Sequence, residues 1–558
     1  MRLRLLPRAA LLLALAACRS KQPPAPAASA IVAEVPAPAA LVAELSVGNP
    51  KETWQRARAL GGTFADALPS SFPVLLATSL SLPPSAAGSL DETVPMVGAV
   101  LSRKDAPEPD IVVGMHVLSG AELVASLTLG DGAKFRRLEV APHVVRLLPA
   151  PGAAEFNGAL GVCGNYLLLA TGVDALRDAG RFVAEGVVKR ARREPGLTLH
   201  ATESVLTGAL SRRLRETWNA RRAALSARDR AERDAKGRAP DFADPQVLLA
   251  GADNTIESWL GVLESSRELS LSLTPEPDRL RAELALSPSP DGAAALLSRE
   301  LVVGPIAPLL QLPAGTRAAL LMRGEAQPSE KAGAGDSIAQ LFGERLNAEQ
   351  AKRLVKAFDE LAKSRHGATV IGFVPLPVPA LVITCELSDG GGFADALANV
   401  LSLLELPPVA GLLTGTLGKP SLEPLPPLKG ARRARLRLKS VAPGPALPFP
   451  KSLGVSWEAR DGIGYIVVSP DEALGLAPFA DPARLAASTW LLASQPAQAQ
   501  QTALGIFADA RLVAPSGPDG APILLSFGKN ADHVVVALDV AAQALPALAR
   551  VFALDRSP

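Results

Sequence analysis

Apolar residues alternate with polar ones in two places far apart in the chain. Leu269, Leu271 and Leu273 alternate, the chain turns near Asp278, and the pattern resumes with Leu280, Ala282, Leu284 and Leu286. Ile523, Leu525 and Phe527 do the same, turn near Asp532, and resume with Val534, Val536, Leu538 and Val540. A period of two is the signature of strands with one buried face. Earlier blocks also match in order. Val97-Gly98-Ala99-Val100 parallels Ile371-Gly372-Phe373-Val374, and the run from Pro109 to Gly120 parallels Pro379 to Gly390 without a gap. Each leads into a helical pattern, Ala121–Leu127 or Phe393–Leu404. Leu160-Gly161-Val162 answers Leu453-Gly454-Val455, and the two tyrosines, Tyr166 and Tyr465, each open a strand that runs on into a helix. Matching order at this spacing predicts a duplication, with a period far longer than that of solenoid arrays.

Turn pairs Gly164-Asn165 and Asp461-Gly462 favour antiparallel hairpins. The expected fold is therefore α+β: two tandem, similar lobes, residues 41–305 and 315–558, each a curved, mainly antiparallel sheet with helices on one face. Each lobe carries a helical insertion. In the first, 203–266, an arginine-rich arm over Glu203–Lys236 precedes an amphipathic one near Thr255–Leu263, with Ile256, Trp259, Leu260 and Leu263 on one face. Between Ser211 and Arg238 there are ten Lys/Arg against four Asp/Glu. The arm is expected to project and meet an anionic partner while Trp259, Leu260 and Leu263 pack on the lobe. The second half manages with about ten residues near Ala514–Pro522 at the matching place, judged by the repeat register. Its own insertion is 335–365, where Asn347 is placed to cap a helix with Gln350 three residues on and Leu354, Val355, Phe358 and Leu361 form the apolar stripe.

The start of the chain reads differently. Arg2, Arg4 and Arg8 precede the apolar run Ala9–Ala17, which ends in Leu15-Ala16-Ala17-Cys18. Nine apolar residues are too few to span a bilayer, which takes about 20, but they suit a secretory leader. The ending resembles the lipobox of bacterial lipoproteins. That resemblance implies cleavage before Cys18, acylation of Cys18, and residence in the cell envelope. Because Arg19 rather than an Asp follows the cysteine, it also leans towards the periplasmic face of the outer membrane. Residues 18–40, rich in proline and alanine, then form a semi-rigid tether.

Composition narrows the partners. The 558 residues are 48% hydrophobic and only 4% aromatic, so the cores must be aliphatic and large enough for two domains. The formal charge of +2 becomes about −1 once the leader arginines leave, which excludes a global field for nucleic acid. No other stretch is apolar enough to span a bilayer, so the expected hold on the membrane is lipid at the N-terminus. Cys163 and Cys385 lie in apolar runs and read as buried small hydrophobes, with a disulfide between them open in an oxidising compartment.

The candidate chemistry is sparse. The five histidines are scattered, with no HExxH, CxxC or comparable spacing, so neither metal nor cofactor is expected. Gly335-Asp336-Ser337 is similar to the start of one serine hydrolase family, but the downstream Asp532-His533 has the wrong spacing, and Asp336 and Ser337 read as helix caps. Gly415–Pro420 lacks both the glycine spacing and the hydroxyl of a P-loop. What remains is Arg433, Arg435, Arg437 and Lys439, four cations on one face of a strand, as a possible anion contact; the alternative is a solvated face with acidic neighbours. The reading is a non-enzymatic binding or scaffolding protein of the envelope, meeting an anionic envelope component or an envelope protein. A hydrolase working in an interlobe cleft and a lipid carrier are the alternatives.

Overall fold

The structure is a computed structural model that describes residues 35–548 except 62–64, 66–67, 81, 104–107, 130–132, 151–157, 237–244, 325–334, 337–338, 340–345, 376, 407–408, 410–418, 440–451, 481–483, 486–499, 514–520 and 547. The leader and Cys18 lie outside the described residues, as does the tether up to residue 34.

The chain forms two compact units, one of Met1–Arg228, Gly251–Arg299 and Val536–Pro558, the other of Asp229–Ala250 and Glu300–Val535. The division departs from the boundaries read in the sequence. Of the described residues, 536–546 fall in the first unit, and 229–236 with 245–250 of the 203–266 excursion fall in the second. Sequence periodicity finds elements; it does not assign them to a core.

The first unit holds β1 (Leu41–Gly48), β2 (Met96–Leu101), β3 (Asp110–His116), β4 (Phe135–Ala141), β5 (Val144–Pro149), β6 (Ala159–Cys163), β7 (Tyr166–Ala170), β8 (Gly196–Thr202), β9 (Ser266–Pro275) and β10 (Arg279–Pro288). Their order is β4-β5-β6-β7-β3-β2-β1-β8-β9-β10, antiparallel throughout. The second unit holds β11 (Ala318–Arg323), β12 (Arg365–Val374), β13 (Ala380–Leu387), β14 (Lys419–Leu428), β15 (Ala431–Lys439), β16 (Ser452–Arg460), β17 (Ile463–Ser469), β18 (Gln500–Asp509) and β19 (Pro522–Asn530). Their order, also antiparallel, is β14-β15-β16-β17-β13-β12-β11-β18-β19. Position by position, this is the order of the first nine strands of the first unit. The hairpins close with left-handed turn residues, Gly164 at φ 54° in one unit and Asp461 and Gly462 at 54° and 74° in the other, as tight antiparallel turns demand.

The expectation of helices on one face is corrected. In the first unit Val113, Met115, Val162 and Leu167 pack with Trp54, Phe72, Leu123 and Leu127 from helices on one side. Their strand neighbours Val112, Cys163, Tyr166 and Leu168 pack with Leu176, Ala179 and Phe182 on the other. Consecutive strand residues thus enter opposite cores, and both faces are covered. The runs Ile111-Val112-Val113 and Leu167-Leu168-Leu169 carried that signal, because continuous apolar strands are those buried on both sides. The second unit repeats the arrangement. Cys385, Trp457 and Ile466 pack with Phe393 and Leu397 on one side, and Val382, Val467 and Phe507 with Leu309 and Phe479 on the other.

The helix after β3, Gly120–Thr128, and the helix after β13, Gly390–Ser402, define equivalent faces. Met115 and Cys385, matched in the sequence, both lie on that side. Tyr166 and Tyr465 both lie on the opposite side, although Tyr465 is the third residue of its strand rather than the first. The match of Val97–Val100 to Ile371–Val374 is off by one. A side chain on Gly98 would meet Leu45, whereas one on Gly372 would meet Leu312 and Thr316, on the other face. A one-residue slip reverses the face of a strand, and small apolar runs do not fix it.

The segment 335–365 proves not to be peculiar to the second half. Its helix, Ala348–Lys363, lies between β11 and β12, and the first unit has the helix Pro50–Leu60 between β1 and β2. The capping box of Asn347 and Gln350 is present, and Leu354 is buried. The excursion between β8 and β9 does belong to the first half alone, since 510–521 fill the corresponding place between β18 and β19. It contains the helices Ser211–Lys236 and Pro245–Glu264. Leu260 and Val262 are buried, but Trp259 is 46% exposed, which corrects the expectation that it packs on the lobe.

Candidate functional site

In the first unit the helix Gly120–Thr128 and the β4–β5 hairpin enclose an open cleft of about 610 Å³. The helix starts where it does because Ser119 caps it, accepting a hydrogen bond from the Glu122 N–H at 3.3 Å. Its first residue meets the β6–β7 turn closely: a Cβ on Gly120 would lie 1.9 Å from the Gly164 carbonyl oxygen. The Gly120 N–H donates to Asn165 Oδ1 at 3.2 Å. Leu123 and Leu127 point inward, which leaves Ala121, Val124, Ala125 and Thr128, a four-residue helical stripe, facing the cleft.

Val145 and Val162 complete the apolar wall, and Arg136, Arg137 and His143 supply the polar one. His143 sits at the hairpin turn with φ 66°. Arg136, Arg137 and His143 form no ion pair among the described residues. The cleft therefore joins an apolar wall to an exposed strand that carries Arg136 and Arg137, of which Arg137 is on the cleft side, opposite Leu147. A site of a few hundred Å³ with this mixture suits a partly apolar ligand that ends in an anion. The sequence showed the pair Arg136-Arg137 within a strand pattern. It could not show that these arginines form no ion pair among the described residues.

In the arginine stripe read from the sequence, Arg435 and Arg437 are paired with carboxylates, and Arg433 bonds to backbone carbonyls. Arg435 binds Glu472 through Nε and Nη2, both at 2.5 Å, and reaches Glu423 at 3.1 Å. Arg437 also binds Glu423, at 2.8 Å, while Arg433 donates to the Glu472 carbonyl oxygen at 2.6 Å. The salt bridges hold Glu472 below the usual carboxylate range, and Arg435 well above its own. The side chain of Lys439 lies outside the described ones. Of the two readings of this stripe, these contacts match the face with acidic neighbours. The arginine-rich arm is similar in part: Arg215 pairs with Glu257 and Glu264, and Arg222 with Asp253, all on the second helix of the hairpin. The sequence displays charges along one element, but their partners arrive from other elements.

A smaller pocket of about 200 Å³ is lined by Glu44, Ser46, Arg190, Arg192, Thr198, His200 and Glu268 among others. Arg190 grips Glu44 with two bonds, 3.1 and 2.6 Å, and His200 Nε2 lies 3.1 Å from Glu268. Both carboxylates are thus already engaged.

Beside β3 is a buried titratable cluster. His116 Nδ1 lies 3.2 Å from Asp91 Oδ2, and the His116 ring meets Tyr166 edge to face at 5.4 Å. Burial first, and then the Asp91 charge, push the Tyr166 hydroxyl up to about 12. The neighbouring Glu92 is completely buried, and neither carboxyl oxygen has a hydrogen-bond partner among the described residues. Desolvation raises its pKa to about 8, with Lys51 opposing and Asp91 reinforcing the shift.

Cys163 and Cys385 are buried free thiols, each pushed up to about 11 chiefly by burial, which suits packing rather than nucleophilic attack. Gly335 donates its N–H to Asp359 Oδ1 at 3.0 Å, while Ser337 falls outside the described residues. Among the described residues no three or more His, Cys, Asp or Glu gather as a metal site, and no helix is long and apolar enough to cross a membrane. Comparison with protein-family models, with curated proteins and with solved structures finds no match to this chain.

Proposed function

We propose that this chain is a non-enzymatic, lipid-anchored protein of the bacterial cell envelope that binds partly apolar, anionic ligands through the cleft beside β4. The observation that carries this reading is the contrast between arginines. Arg433, Arg435 and Arg437 are held within the fold, whereas Arg136 and Arg137 line a cleft with an apolar wall and no paired carboxylate among the described residues. An arginine left without a partner beside apolar surface is available to a ligand. A hydrolase has less support, because Glu44 and Glu268 in the polar pocket are engaged by Arg190 and His200. We further infer that the two units arose by tandem duplication, which the shared order of nine strands supports.

Titration with 8-anilinonaphthalene-1-sulfonate, an apolar body bearing one sulfonate, tests the cleft. Arg137→Ala is expected to weaken its binding about tenfold, the usual size of one charge-assisted contact; unchanged affinity would remove Arg137 from the site. Anchoring is tested separately. Cys18→Ser is expected to leave the leader uncleaved or the product unattached to membrane. An unmodified N-terminus elsewhere in native protein, seen by mass spectrometry, would end the lipoprotein reading.

A further inference from the structure

We propose that β4 is a docking edge for an extended acidic segment of a partner protein, which joins the sheet of the first unit as an added strand. This rests on the cleft reading above and names its occupant.

The argument begins with backbone hydrogen bonds. Strand β4 is terminal in its sheet and pairs only with β5 among the described residues. The Ala150 N–H donates to the Lys134 carbonyl oxygen at 2.8 Å, which sets the phase of the ladder. In antiparallel pairing, alternate residues turn both backbone groups to the same side. Residues 134, 136 and 138 therefore bond to β5, and Arg137 and Glu139 turn their N–H and C=O groups away from it. An exposed row of this kind is a template for another strand unless the protein blocks it.

The two units treat this edge differently. The corresponding terminal strand of the second unit, β14, carries Pro420, Pro424, Pro426 and Pro427, and proline supplies no N–H and is typical of a guarded edge. Strand β4 contains no proline. Its residues Arg136–Glu139 are all exposed, with Leu138 48% accessible. Its protection is charge, two arginines against one carboxylate, Glu139, together with a register shift between Glu139 and Ala141. With two arginines against one carboxylate the edge carries net positive charge, which favours a strand of opposite sign. Arg137 lies opposite Leu147 in the ladder, and Leu147 is in the core beneath the helix Gly120–Thr128, so Arg137 is on the cleft side. A strand added here would direct alternate side chains towards the apolar wall formed by Val124 and Val145.

The probe is a capped, fluorescein-labelled ten-residue peptide alternating glutamate and valine, with a lysine–valine peptide as its counterpart. The acidic peptide is expected to bind, to weaken as salt rises, and to slow hydrogen exchange at the Arg137 and Glu139 amides. The lysine peptide should bind at least tenfold more weakly, and Arg137→Glu should reverse the preference. N-methylating alternate peptide amides should abolish binding to the wild-type chain. This arm uses no variant, so it decides the matter even if Arg137→Glu fails to fold. Binding without protection at residues 137 and 139, or indifference to N-methylation, would overturn strand addition. If the sulfonate probe binds in an Arg137-dependent way and the peptide does not, the occupant is wrong and the cleft reading stands. If neither binds, both fall.

Discussion

Replacing Glu92 with leucine is expected to stabilise the first unit by about 3 kcal/mol more at pH 7 than at pH 4.5. The folded carboxyl group titrates near 8, raised from an ordinary value of 4.5 by complete burial without a hydrogen-bond partner among the described residues. Its folded pKa lies above the unfolded one, so the native protein keeps a proton that the unfolded chain releases. Stability is therefore highest below the unfolded value and falls as pH rises towards about 8, where the loss levels off. Leucine has similar size and no proton to lose, so it removes both the slope and the cost of burying a polar group. Urea unfolding at pH 5, 7 and 9 reads the effect. Wild-type stability that does not decline between pH 5 and 8 would show that Glu92 is solvated or paired. So costly a residue is unlike ordinary core packing, and the pH profile gives the first unit a titration that an acidifying compartment would read as stabilisation.

Arg281→Met is expected to cost the first unit about 3 kcal/mol or more at pH 8. Arg281 lies 3.1 Å from Asp539, whose carboxylate is 2% exposed, and 2.9 Å from Glu283. Removing the guanidinium strands a buried charge, which costs more than the pair itself contributes. Burial already raises the pKa of Asp539, with Arg281 and Arg279 opposing. The stranded carboxyl therefore takes up a proton more readily, and the loss should shrink at acidic pH. The double variant Arg281→Met with Asp539→Leu should recover most of the stability, because it replaces both partners with apolar groups. Thermal melts of the two single variants and the double give the coupling. Additive losses would show that the contact does not hold the returning C-terminal segment to the first unit.

Much of the fold was legible. Consecutive apolar blocks in matching order gave the strands, Gly164 and the Asp461-Gly462 pair gave their turns, and Asn347 with Gln350 gave a helix start. These are local signals, each set by a residue's own backbone preference or by a partner three or four positions away. The cleft was not legible. Arg136 and Arg137 are a less conspicuous run than Arg433–Arg437, yet it is Arg435 and Arg437 that Glu423 and Glu472 engage. Whether an arginine is free depends on carboxylates brought by the fold. Glu472 pairs with Arg435 across 37 positions of sequence.

By itself the sequence determined the element types, the antiparallel pairing and the lipobox-like start, since these rest on spacings of two, on turn residues and on short motifs. Tertiary structure decided the rest. It covered both faces of the sheet, because two sets of helices converge on strands whose neighbouring residues are all apolar. It left Trp259 exposed while burying Leu260, since helical periodicity marks a stripe but not which part of it meets the core. It closed the first unit with Asp539 and placed Glu92 where water cannot reach. Burial, charge neutralisation and membership of a core are sums over residues distant in the chain, and no local pattern records them.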